Sequence, residues 1–170
     1  MACLWGAKRN RGNVVQRRSL FLAILAGGAV GGMLDLLFAL AFAGFHGVGP
    51  VRVFQTIASG LLGDAAFTGG ALVAILGVAC HFVMSWMWAA LFAALAWNFG
   101  ALVSRPLVVG AAFGFGVFFC MRLIVLPLSA YPRPVTFPPL ASVLDLSSHL
   151  FLFGIPIAVI VSRQIRSRGT

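Results

Sequence analysis

Residues 20–43 read LFLAILAGGAVGGMLDLLFALAFA, and this stretch decides the fold class. It contains a single charged residue, Asp35, and it exceeds the roughly 20 residues that a helix needs to cross the hydrocarbon core of a bilayer. A signal peptide cleaved after the AFA at 41–43 is the alternative. The run is too long for the apolar part of such a peptide, and it contains an acid. We therefore expect a retained transmembrane helix.

Three more apolar runs follow, at about residues 70–97, 107–128 and 140–162. Of the 170 residues, 61% are hydrophobic and only 9% are charged, whereas a soluble domain carries about 25% charged residues. A soluble core of this size cannot bury so much apolar surface, so the remainder must face lipid. The sequence predicts an all-α polytopic membrane protein, with four transmembrane helices in a bundle and the lipid bilayer as its surroundings.

The connection between the first two runs predicts a short amphipathic helix at about residues 51–63. Pro50 suits the first turn of a helix, where its missing N–H costs nothing. Apolar residues then recur at helical spacing, and Arg52, Gln55 and Ser59 share the opposite face. The helix is too short to span the bilayer, so we expect it in the interface. Its polar face is interpreted either as solvated or as a lid over polar groups inside the bundle.

The net charge is +9, and the basic residues lie at the chain ends and between the apolar runs. With four spans, nine of them fall on the side of the termini, and Arg52 and Arg133 fall on the other. The nine are Lys8, Arg9, Arg11, Arg17, Arg18, Arg105, Arg163, Arg166 and Arg168. This bias predicts cytoplasmic basic segments at 1–19 and 163–170 and a periplasmic amphipathic helix. Such charges anchor a protein to anionic lipid, so no nucleic-acid partner is expected.

Five titratable side chains lie inside the predicted spans, with at least one in each span: Asp35, His81, Arg122, Asp145 and His149. Counted along the helices, each lies near the bilayer middle or in its outer half. A charge exposed to lipid there costs about 3 kcal/mol, so Arg122 needs a carboxylate partner, and either aspartate has a suitable depth. Asp145 and His149 are four residues apart and share a helix face.

Two interpretations of these five residues stay open. They form a polar cluster that handles an ion or a small solute, or they form an ion pair and hydrogen bonds that only hold the bundle together. The first interpretation predicts an integral inner-membrane protein that handles ions or small solutes. The second predicts a structural or assembly factor that binds another membrane protein.

Other chemistry has little support in the sequence. The three cysteines show no ligand spacing, and no metal or other cofactor is expected. Ser147 or Ser148 could be combined with His149 and Asp145 as a triad, but adjacent residues on one helix point in different directions. An intramembrane enzyme is therefore the third interpretation, behind the two given above.

Glycines recur at the spacing that lets membrane helices approach closely. The pairs are Gly27 with Gly31, Gly28 with Gly32, and Gly110 with Gly114. They predict close contacts within the bundle, with homodimerisation as the open alternative.

Residues 49–63 read GPVRVFQTIASGLLG. The pattern PxRVxQxIASGLLG resembles a family of uncharacterised bacterial inner-membrane proteins with four helices. Later elements fit this resemblance: Arg122 before VLPLS at 125–129, and Asp145 with His149, which are also distantly similar to YagU-like inner-membrane proteins. The resemblance covers most of residues 27–162. It implies a bacterial inner membrane and a four-helix architecture, and it implies no activity.

Overall fold

A computed structural model describes the backbone of residues 2–167 and the side chains of residues 19–167. All regular structure in this part of the chain is helical, as the sequence predicts. The basic side chains predicted for residues 1–18, and Arg168 in the tail, lie outside the described side chains. The helices are α1 (Ala2–Phe45), α2 (Pro50–Leu62), α3 (Gly70–Asn98), α4 (Pro106–Leu128) and α5 (Pro139–Arg166), with short 3-10 turns at Gly63–Thr68 and Gly100–Val103.

Four of these helices are long and apolar enough to cross a membrane: Ser19–Phe45 of α1, and all of α3, α4 and α5. Large apolar side chains cover their outer surfaces; Leu72 on α3, for example, is 77% exposed. In water such a surface would be unfavourable, whereas in a bilayer it contacts acyl chains. The predicted architecture of four long apolar helices and one short amphipathic helix is confirmed.

The bundle has two different ends. At one end, called here the terminal end, lie the turn at 99–105 and the ends of α1 and α5 near Ser19 and Arg166. The apolar core fills this half, around Phe92, Phe153 and Ile157. The other end, called the α2 end, contains α2 and the proline-containing loop at 129–138. A cavity replaces the core in this half, so the two ends have different roles.

Helix α1 packs closely against two neighbours through its glycines. Gly28 and Gly32 face Ser85 and Trp86 of α3, whereas Gly27 and Gly31 face Ile157 and its neighbours on α5. A Cβ atom at Gly31 would lie 3.0 Å from the backbone oxygen of Phe153. The predicted close contacts within the bundle are therefore confirmed for both pairs.

Helices α4 and α5 cross where both backbones carry glycine. A Cβ at Gly110 would lie 2.7 Å from the Cα of Ile155, and a Cβ at Gly114 would overlap the carbonyl of His149. Gly154 faces Gly110 and Gly114 in turn. This contact holds the His149 turn of α5 directly against α4.

Two prolines shape the helices that carry the polar residues. Pro127 follows a π-helical turn at Met121–Val125 in α4, and Pro156 follows another at Ser148–Gly154 in α5. A proline has no N–H for the carbonyl four residues earlier, and its ring crowds that carbonyl, so the preceding turn widens. The widened turns contain Arg122 and His149, and they change the directions in which these side chains point.

The loop at 129–138 is not helical, as its prolines predict. It is attached to α2, because the backbone N–H of Ala130 donates to the carbonyl of Gly60 at 2.9 Å. The α2 end is thus formed jointly by α2 and this loop.

We expect Gly114→Ala to lower the stability of the bundle by about 1–3 kcal/mol, because the added methyl group overpacks the contact with α5. Gly116→Ala is the matched control on the same helix, since a Cβ there meets nothing within 4 Å. Thermal unfolding in mild detergent, followed by circular dichroism, measures the difference. Equal midpoints for the two variants would contradict the proposed backbone contact.

Candidate functional site

An ion pair connects α4 to α5 at the α2 end. Nη2 and Nε of Arg122 donate to Oδ2 of Asp145 at 2.8 and 3.3 Å. Nη1 of Arg122 donates to the carbonyl of Thr136 at 2.6 Å, which connects the loop to the same pair. The guanidinium also lies over the rings of Phe118 and Phe137, 5.2 Å from each centroid. Arg122 is thus neutralised by Asp145, the nearer in sequence of the two predicted partners.

His149 lies between the two aspartates. Its Nδ1 is 2.9 Å from the backbone carbonyl of Asp145 and 3.3 Å from Oδ1 of the same residue. A carbonyl oxygen only accepts, so Nδ1 carries the proton. The same nitrogen lies 3.8 Å from Oδ1 of Asp35. The imidazole therefore bridges a carboxylate on α1 and a carboxylate on its own helix.

Asp35 also contacts a serine that the sequence reasoning considered only for a triad. The hydroxyl of Ser148 donates to Oδ1 of Asp35 at 2.7 Å. Ser148 itself is buried, and the hydroxyl of Ser147 donates to the carbonyl of Val143. Neither hydroxyl is directed at His149 as a nucleophile–base pair requires. Ser148 positions Asp35, a role that becomes visible only once α1 and α5 are packed together.

His81 has a different partner from the other four residues. Its Nε2 donates to the carbonyl of Gly32 on α1 at 2.8 Å. Ser85 and Trp86, further along α3, donate in the same way to the carbonyls of Gly28 and Leu25. His81 thus belongs to a row of side chains that attaches α3 to the α1 backbone. In the described residues, no ion pair or hydrogen bond joins it to Asp35, Arg122, Asp145 or His149.

A cavity of about 590 Å³ lies at the centre of the α2 end, and all five predicted residues line it. Its volume is in the usual range for small-molecule sites, roughly 300–1,000 Å³. The apolar core closes it toward the terminal end, and α2 and the loop border its opening. The other lining residues include Leu36, Val53, Thr56, Ile57, Phe118, Met121, Leu126, Tyr131 and Thr136.

The carboxylates in the cavity outnumber its guanidinium group. Asp145 is paired with Arg122, and the second carboxylate, Asp35, lies 3.8 Å from Nδ1 of His149. Oδ1 of Asp35 accepts from Ser148, whereas Oδ2 has no hydrogen-bond partner among residues 19–167. The side chain of Asp35 is 15% exposed, and that exposure is to the cavity. A positively charged group that enters the cavity would find this oxygen available.

The polar face of α2 is not a solvated surface, so that interpretation is wrong for two of its three residues. Gln55 is 6% exposed and donates to the carbonyl of Gly70 at 3.3 Å; Ser59 is fully buried and donates to Thr56. Helix α2 packs this face on α3, where Gly77 leaves room for its backbone. Arg52 stacks on Phe67 at 3.9 Å from the ring centroid.

A neighbouring face of α2 borders the cavity. Val53, Thr56 and Ile57 contribute to its wall, so α2 flanks the polar residues with its less polar side. The lid interpretation named Arg52, Gln55 and Ser59, and none of these three lines the cavity. The periodicity predicted the helix correctly, but it could not predict which face contacts α3.

The fold and the site define the class of this chain, a multi-pass membrane protein with a cavity that contains charged side chains between its apolar helices. Comparison of the chain with protein-family models, with curated proteins and with solved structures finds no significant match in any of the three.

Arg122→Gln is expected to destabilise the protein by about 1–3 kcal/mol, because it leaves Asp145 without a counter-ion in a partly desolvated site. The double variant Arg122→Gln with Asp145→Asn should be more stable than Arg122→Gln alone, since it removes the orphaned charge. Arg105→Gln, in the turn at the terminal end, serves as the control. Unfolding midpoints in mild detergent give the comparison; an additive loss in the double variant would exclude a coupled pair.

Proposed function

We propose that this protein binds a small, positively charged solute in the cavity at the α2 end and carries it across the membrane. The observation that supports this proposal is the carboxylate of Asp35, near the middle of the apolar segment Ser19–Phe45. It has one oxygen open to the cavity, and among residues 19–167 neither lysine nor arginine pairs with it; its nearest basic group is the imidazole of His149, 3.8 Å away. An ionised group at such a depth is costly, and in membrane proteins it typically marks a pathway for an ion or a substrate.

The cavity wall suits a cation in a second way. Phe118 and Tyr131 line it beside the carboxylates, and aromatic faces attract cations, ammonium groups above all. Arg122 does not oppose this preference, because its charge is matched by Asp145 at 2.8 Å. The expected solute is therefore a small ammonium-type cation, with Asp35 as its counter-ion.

A proton is the smallest cation that the site could handle. Asp145, His149 and Asp35 form a continuous row, with His149 3.3 and 3.8 Å from the two carboxylates. A neutral imidazole that donates through Nδ1 keeps Nε2 free to accept a proton. Uptake of a proton at Nε2, with release of the Nδ1 proton to either carboxylate, is the form of transport that the geometry favours next.

The alternative is a structural or assembly factor that binds another membrane protein. It is favoured by the bonding of Arg122, whose three donating nitrogens all bind groups of the same chain. In that case the network serves to hold α4, the loop and α5 together. The two proposals differ at Asp35, since a purely structural network does not need an accessible carboxylate oxygen.

We further propose a bacterial inner membrane with both termini in the cytoplasm and the α2 end toward the periplasm. The proposal rests on the basic residues, nine on the side of the termini and two on the other. The two are Arg52 and Arg133, whose guanidinium carbons lie 3.9 and 5.7 Å from the ring centroid of Phe67. The cavity would then open to the periplasm.

Reporter fusions test this orientation. Green fluorescent protein fused after residue 170 should fluoresce, and alkaline phosphatase at the same point should be inactive, because the phosphatase needs disulfides that do not form in the cytoplasm. The phosphatase fused after residue 137 should be active. The opposite pattern at both positions would invert the topology and place the cavity on the cytoplasmic side.

Uptake of radiolabelled tetramethylammonium into proteoliposomes, driven by a membrane potential, tests the transport proposal. This cation has a permanent charge and does not cross lipid as a neutral species. Asp35→Asn should reduce uptake at least about tenfold, the contribution of one charged contact in a partly desolvated site. Asp64→Asn is the matched control, because Asp64 is exposed and does not line the cavity.

A trapped pH dye records proton flux in the same vesicles. Wild-type vesicles that move neither tetramethylammonium nor protons would overturn the transport proposal. If Asp35→Asn then also lowers the unfolding midpoint, the network is structural and the assembly interpretation gains support.

A further inference from the structure

The cavity is not isolated from the lipid-facing surface. A groove of about 440 Å³ runs beside it, between α3, α2 and the second half of α4. The cavity and the groove share lining residues: Thr56, Ile57, His81, Met121, Leu126 and Tyr131. The two spaces are therefore neighbours along a common wall.

The groove differs from the cavity in chemistry. Its other walls include Leu61, Cys80, Met84 and Val125, and it contains none of the three charged residues of the cavity. Methionine and small side chains adapt well to flexible apolar ligands. One short hydrocarbon chain fits a space of this size, whereas the two chains of a phospholipid do not.

The groove opens sideways from the bundle. Leu61 is 66% exposed and Val83 is 51% exposed, and both lie on its rim. These side chains belong to the membrane-facing surface of α2 and α3. An apolar chain could therefore enter from the bilayer without passing through water, and its polar end would meet His81 and then the cavity.

We propose that the ligand is a single-chain amphiphile with a positively charged head group, bound with its head at Asp35 and its hydrocarbon chain in this groove. The proposal deepens the function proposed above and rests on it for the charge of the head group. A space that contains the carboxylate of Asp35 and adjoins an apolar space with a lateral opening matches such a molecule at both ends. A purely hydrophilic cation would make no use of the groove.

Photo-crosslinking in lipid nanodiscs tests this proposal directly. The probe is an alkyltrimethylammonium with a twelve-carbon chain and a diazirine at the chain end, at a fixed, low mole fraction of the lipid. Labelled peptides are mapped by mass spectrometry. Labelling is expected at groove residues such as Leu61, Val83 and Met84, and excess unlabelled dodecyltrimethylammonium should suppress it. Labelling confined to lipid-facing residues outside the groove, such as Leu72, would overturn the proposal.

Two methionines on α3 provide matched variants. Met84 lines the groove, whereas Met87, one turn further along, is 58% exposed and lies outside it. Met84→Trp should fill the groove and reduce the specific labelling about tenfold, the effect of one blocked apolar contact region. Met87→Trp should label like the wild type. Equal labelling in the two variants would show that the chain does not occupy the groove.

The head group is tested with a carboxylate probe of the same chain length and the same diazirine. We expect the carboxylate probe to label the groove weakly. We also expect Asp35→Asn to lose labelling by the alkyltrimethylammonium probe. Stronger labelling by the carboxylate would overturn the assignment of a cationic head group. Unchanged labelling by the cation in Asp35→Asn would overturn the role of Asp35 and, with it, the charge argument for the proposed function.

The two proposals can fail separately in these experiments. Uptake of tetramethylammonium without specific groove labelling would leave the proposed transport intact and overturn the amphiphile. Groove labelling that depends on Asp35, without any uptake, would retain the amphiphile site and overturn transport. An absence of both would overturn both.

Discussion

The hydrocarbon interior of a membrane offers no hydrogen-bond partner, and the arrangement of this protein depends on that constraint. Polar side chains inside the bundle are therefore stabilised by a partner within the chain or by a cavity. Trp88 Nε1, Ser142 Oγ and Ser162 Oγ are exceptions, since they are buried without a hydrogen-bond partner in the described part of the chain. His81, Ser85 and Trp86 donate to carbonyls of α1, and Arg122 is matched by Asp145. These bonds require backbones and side chains to approach closely, which the glycines on α1 and α4 allow. The hydrogen bonds between the helices therefore depend on the close contacts that the glycines allow.

Asp35 differs from these residues, because residues 19–167 bind only one of its two carboxylate oxygens. One of its oxygens is bound by Ser148 and approached by His149, and the other faces the cavity. The carboxylate keeps access to a polar space because the core fills only the terminal half of the bundle. Helix α2 and the loop at 129–138 border the other half without packing into it. The cavity is thus what allows a carboxylate in the middle of this apolar helix.

The two prolines explain how α4 and α5 serve both packing and site formation. Pro127 and Pro156 each follow a widened turn, and those turns contain Arg122 and His149. A regular helix would keep every backbone hydrogen bond, but it would direct these side chains differently. Neighbouring helices support the irregular turns, because Gly110, Gly114 and Gly154 bring the two backbones into contact.

The sequence by itself determined the four long helices, the short amphipathic helix and the identity of the charged residues within the apolar segments. These follow from the length of apolar runs and from the cost of charges in hydrocarbon, which are local properties. Only the tertiary structure decided the partners, because these depend on how helices distant in sequence pack together. Asp145 rather than Asp35 pairs with Arg122, Ser148 binds Asp35, and His81 binds a backbone carbonyl. The burial of Gln55 and Ser59 was missed for the same reason: periodicity separates two faces of a helix, but only packing on α3 at Gly77 decides which face is covered.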